Sequence, residues 1–135
     1  MDAGGGSIKG FGSAIMCWQG NTVGISTLVI EARAGVAADT PALIVDDGQA
    51  ALSGAIDITT TGVGIEIANC NLSKLGAVTI TDAAVGIKVK GLASYGGDGT
   101  TAFVNCTADA NIPLNEIQYS GAYVSDNTAA LAFKA

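Results

Sequence analysis

The segment GAIDITTTGVGIEI, beginning at Gly54, returns as GAVTITDAAVGIKV beginning at Gly76. Ala55 meets Ala77, Ile56 meets Val78, Ile58 meets Ile80 and Gly64 meets Gly86, each 22 positions on. The same step back from Ile65 and Ile67 reaches Leu43 and Val45. A step of 44 forward from Ile87 and Val89 reaches Leu131 and Phe133. A period of this length marks a chain wound as stacked repeats. One repeat is too small to bury its own apolar side and must lie on the next.

Within the repeat the pattern alternates. Ile56 and Ile58 fall on one side of a strand with Asp57 on the other, and Ile65-Glu66-Ile67 does the same. That is the two-residue period of a strand, not the 3.6 of a helix. Gly, Asn, Asp, Ser and Thr separate the short β-branched runs and supply corners. These observations predict an all-β fold, a right-handed parallel β-helix with about 22 residues per turn and about 4.8 Å between turns. Residues 1–12, which contain GGGS, read as a flexible lead-in, and 13–135 as a single β-helix domain. The first 40 residues repeat more loosely. Residues 91–120 hold SYGGDGT and form an irregular turn. Its insertion and deletion are expected to cancel, because the 44-residue offset is restored at Val124.

The repeat writes out the expected inward files. They are Leu43, Ile65, Ile87, Leu131; Val45, Ile67, Val89, Phe133; Val36, Ile58, Ile80, Val124; Ala34, Ile56, Val78; and Leu28, Ala50, Leu72. Each fully buried aliphatic side chain contributes roughly 1.5–3 kcal/mol. On the outside, Glu66 is expected beside Lys88, Thr59 beside Thr81, Asp57 beside Thr79 and Ile44 beside Glu66.

Composition narrows the class. Hydrophobic residues make up 49% and mean hydropathy is +0.45, which disfavours disorder. Charged residues are only 13%, so part of the surface is expected to be covered by partner chains. Net charge is −6, the wrong sign for nucleic acid or for an anionic membrane surface. The uncharged run from Gly10 to Ile30 is broken by Ser, Asn, Gln, Thr and Gly, so membrane insertion is not expected. Cys17, Cys70 and Cys106 read as small buried apolar residues, and the pairs Asn69-Cys70 and Asn105-Cys106 as one repeated position. Without His or a CxxC there is no Cys/His zinc site, and no cofactor is implied.

The carboxylates Asp46, Asp47, Asp57, Glu66, Asp82 and Asp98 are candidates for the paired acids of glycan cleavage. Asp46-Asp47-Gly48 has the composition of a corner, and Asp57 and Glu66 stand alone on their strands, so no catalytic residue is assigned and an enzyme is disfavoured. Asp98 in GGDG is a weak candidate for calcium, since the nonapeptide calcium repeat is missing. Trp18 and Tyr95 are the aromatics best suited to an exposed sugar platform or a partner contact. The threonines of Thr59-Thr60-Thr61 and Thr79-Ile80-Thr81 form only a two-turn array, short for a surface that binds ice.

From Ala34 to Phe133, the ladders VGIEI and VGIKV after GAIDITTTG and GAVTITDAA resemble the β-helical parts of bacteriophage tailspikes and tail fibres. Similar low-charge solenoids occur in trimeric bacterial surface adhesins. The resemblance implies a homotrimer with parallel axes, a virion-tail or extracellular location, and bacterial surface polysaccharide as partner. Trp18, Tyr95 and Asp98 are then the candidate glycan-binding residues and Ile44 a candidate trimer contact. Some members of that group cleave the glycan, which makes a depolymerase the alternative function.

Overall fold

Short runs rich in β-branched residues form the central strands, and three of them stop at a non-glycine residue in the left-handed region, Asn69, Asp82 or Asn105. The computed structural model describes residues 2–11, 15–17, 22–46, 49–74, 76–90, 93–96, 99–111, 117–119 and 123–126. These hold β1 (Asp2–Phe11), β2 (Ile15–Cys17), β3 (Thr22–Ala32), β4 (Pro41–Asp46), β5 (Gln49–Thr59), β6 (Val63–Ala68) and β7 (Asn71–Lys74). They continue as β8 (Val78–Thr81), β9 (Val85–Lys90), β10 (Ala93–Gly96), β11 (Thr101–Val104), β12 (Ala108–Asn111), β13 (Ile117–Tyr119) and β14 (Tyr123–Ser125). No described residue is helical. Every strand pairing is parallel and joins one turn to the next, so the chain is an all-β parallel solenoid of about 4 turns and about 22 residues per turn.

Two sheets line the core. The smaller runs β12-β9-β6-β4-β2. The larger has nine strands and folds into two arms, because β5 pairs with β7 through its first half and with β8 through its second. Gly54, in the left-handed region at φ 75°, makes that bend, and Thr27 at φ 47° makes it in β3. The same corner is glycine in the next turns. A Cβ on Gly76 would strike the backbone of Gly54, and one on Gly99 the backbone of Gly76. The corner therefore stacks backbone directly on backbone, which only glycine allows.

The central files hold as expected: Leu43, Ile65, Ile87 and Val45, Ile67, Val89 lie in register and buried. Ile56 on Val78 and Ile58 on Ile80 hold too. At both ends the expected files need correction. Leu28 precedes Ile56, and Ile30 precedes Ile58, at a step of 28. Ala34 is exposed in a turn. Val36 is buried in the same corner, where its carbonyl accepts the Thr61 hydroxyl at 3.0 Å. The cause is a longer corner: Glu31 and Pro41 lie ten positions apart where their partners Thr59 and Val63 lie four apart. Leu28 thus leaves the file expected for it; Val23 precedes Ala50 and Leu72 instead.

From β7, β8 and β9 to β10, β11 and β12 the register steps by 23, not 22; it then steps by 24 from β10 to β13 and by 22 from β11 to β14. One residue is gained between Lys90 and Ser94, and it does not cancel. Phe103 therefore takes the place after Ile80, and Ser125, not Val124, follows it. Val124 points outward and is 57% exposed. Ala110 follows Ile87. Leu131 and Phe133 lie outside the described residues. Residues 1–12, expected as a lead-in, contain β1, which pairs with β3 along its length and sets Lys9 3.1 Å from Glu31.

Candidate functional site

The corner between β11 and β12 gathers most of the described polar chemistry. Asp82 and Asn105 are its turning residues in successive turns, at φ 63° and 53°. Short side chains that bond locally make Asp and Asn the non-glycine residues best suited to that region. Asn105 holds three turns together. Its Nδ2 donates to Asp82 Oδ1 at 2.8 Å, and its backbone N–H donates to both Asp126 oxygens at 2.8 and 3.0 Å. An amide between two carboxylates supplies donors where two acids in direct contact would repel.

Behind the corner the chain turns inward. The Cys106 thiol is buried and donates to the Ile80 carbonyl at 3.5 Å. Burial pushes its pKa up, backbone hydrogen bonding opposes this, and the charges of Asp109 and Asp126 push the same way as burial. The thiol is therefore held neutral, the opposite of an activated nucleophile. Cys70 repeats the device at a different corner, following left-handed Asn69 and donating to the Val45 carbonyl at 3.7 Å. The two Asn-Cys pairs share local geometry but not, as expected, one repeat position: Asn69 follows the smaller sheet, and Asn105 precedes it.

Asp109 is the unexpected member. It lies on β12 between Ala108 and Ala110, at the register place of Gly86 and, one turn earlier, Gly64. A side chain at those glycines would run into Phe103 and Ile80, so the slot faces the core. Asp109 fills it with a carboxyl that is 0% exposed, and neither oxygen has a hydrogen-bond partner. Desolvation raises its pKa. The Ser125 hydroxyl pulls the other way, without good hydrogen-bond geometry on either oxygen, and the Asp126 charge adds to the rise. Ser125 is the last described member of the file Ile30, Ile58, Ile80, Phe103, which brings a polar side chain beside Asp109.

The sequence-derived residues do not converge here. Trp18 and Asp98 lie outside the described residues. Tyr95 is on β10, paired in register with Leu72 and Tyr119. Ile44 is half-buried on β4 between Met16 and Glu66. Glu66 does pair in register with Lys88, but its ion pair runs diagonally to Lys90 Nζ at 3.0 Å. Asp57 and Thr79 share an outward file with Val29, Ala102 and Val124. Asp46 closes β4 beside Ala68 and Lys90. No group of three or more Cys, Asp or Glu among the described residues is arranged to hold a metal ion.

Asp109, Ser125 and Asp126 were missed because a fixed step of 22 places Thr107 beside Val85. Allowing one residue at the Gly91 corner aligns Asp109 with two glycines, and an acid in a glycine slot would have been the signal. No protein family, curated protein or solved structure matches the chain.

Proposed function

We propose that this chain is a structural and receptor-binding segment of a trimeric tailspike- or fibre-like protein that recognises bacterial surface glycan at a virion tail or cell exterior. The observation that carries the reading is the outer face of the larger sheet. There Val29, Val104 and Val124 are exposed at 39%, 40% and 57% on neighbouring files that also carry Thr59, Thr79 and Thr81, with the charges Asp57, Glu31 and Lys9 confined to the earlier turns. A mostly uncharged outer face on a parallel solenoid suits lateral packing of copies with parallel axes. The solenoid would coil right-handed, as parallel crossovers nearly always do. Half-buried Ile44 is a further trimer contact in this reading, and Trp18, Tyr95 and Asp98 are the proposed glycan contacts. Light scattering on the eluted peak should give three times 13.3 kDa and hold on dilution. Immobilised capsular or O-antigen polysaccharide should then retain the trimer. A stable monomer that ignores these glycans would remove the proposal.

A depolymerase of the same fold is the second reading. In its favour stand two carboxylates, Asp82 and Asp126, drawn onto one Asn105 at an exposed corner. Release of reducing ends from the same glycans, lost in Asp82→Asn, would establish it.

A further inference from the structure

The buried carboxyl on β12 has no place in glycan binding, and its surroundings give it another role. Asp109 replaces the glycines of the preceding turns, is fully buried, and has no hydrogen bond of good geometry on either oxygen, only the pull of the Ser125 hydroxyl. An ionised carboxylate in that position is costly, while a protonated one is not. Ser125, whose hydroxyl acts on it, lies on β14, a strand held to β11 by three register pairs, Thr101 with Tyr123, Ala102 with Val124 and Phe103 with Ser125. Opening that short strand is a far smaller event than unfolding the solenoid.

We infer that Asp109 is a proton-controlled latch on β14. With the carboxyl protonated, β14 stays seated on β11; when the proton leaves, β14 lifts and water reaches the acid.

The neighbours set the direction. On β9 the residue beside Asp109 is Gly86, with Lys88 two positions on, in register with Asn111. On β11 the inward neighbour is Phe103. From the corner comes Cys106, itself held neutral, and from the end of β14 come Ser125 and the negative Asp126. Asp126 is the charge that acts on Asp109, and it opposes ionisation. The seated state therefore binds the proton more tightly than the open one. The latch is strongest in acid. It weakens as pH rises from the ordinary Asp value, about 3.9, toward the raised value of the seated state.

Hydrogen exchange of the Tyr123–Ser125 amides in the full chain, corrected for intrinsic rates between pH 4 and 8, tests this. Wild-type protection should fall by up to about tenfold per pH unit inside the window. Asp109→Asn, neutral and nearly the same size, should keep constant protection. An Asn variant that follows the wild-type course overturns the latch. Should that variant not fold, the Asp109 carboxyl resonance of the wild type decides by NMR. A titration midpoint above the ordinary Asp range supports the latch, and one at or below it overturns it.

Discussion

The turns from β4 to β9 and the turn that follows are built on the same parallel ladder but solve packing differently. In the first region the inward slots of Leu43, Ile65, Ile87 and of Val45, Ile67, Val89 are filled by aliphatic residues of similar volume. The repeat is nearly uniform, and each side chain sits on one like itself. In the second, a fully buried Phe103 takes the isoleucine slot, and Gly86 leaves room for its ring. A polar pair, Asp109 and Ser125, also enters inward positions of these turns. The contrast teaches that backbone register, not side-chain identity, is what a solenoid conserves from turn to turn. Volume is balanced between neighbouring turns, so a larger residue in one demands a smaller one in another.

Substitutions can break this contrast, and their effects should fall in a definite order. Phe103→Ala should cost the most, about 3–5 kcal/mol in urea unfolding, against about 2–5 kcal/mol for Ile65→Ala in the uniform region. Equal costs with no change in the β11 amides would mean that Phe103 does not anchor its turn. Next, Gly86→Ala should cost about 1–3 kcal/mol, because its Cβ would strike the Asp109 backbone carbonyl and lie 2.5 Å from the Phe103 ring. Adding Phe103→Leu should recover part of that loss, and strictly additive costs would refute the coupling of ring and glycine.

Smaller effects sharpen the picture. Asp126→Ala removes both acceptors of the Asn105 N–H at an exposed corner and should cost about 1 kcal/mol. Lys90→Met removes the partner of Glu66 and should cost at most about 1 kcal/mol, shrinking in high salt; a salt-independent loss would point to packing of the lysine stem instead. In the folded protein Cys106 should resist alkylation at pH 8 while urea-unfolded chain reacts readily, since burial holds the thiol protonated.

The strand period and the central files were legible in the sequence because two successive turns are near copies, and in-register copies expose their spacing directly. Three features were hidden, each for a physical reason. The first strands were displaced because the corner after Glu31 is longer, and a corner can lengthen without disturbing the ladder on either side of it. The last turn slipped by one because a single residue entered near Gly91, and a slip of one exchanges inward and outward faces, as Val124 and Ser125 show. The diagonal reach from Glu66 to Lys90 depends on side-chain length and direction, which register does not encode. Of the residues marked for glycan or partner contact, Ile44 was expected at an outward slot and sits half-buried beside Glu66. The polar corner went unseen because its members come from three turns and carry no shared motif.

The corner from Arg33 to Thr40 has one further consequence. Six extra residues are accommodated there, Val36 alone tucks beneath, and the strand pairings on both sides continue without interruption. In engineering terms this is a loading point on a ruler. Peptides grafted between Ala37 and Asp39 should be displayed at a fixed height along the solenoid axis, leaving the graduations above and below unmoved.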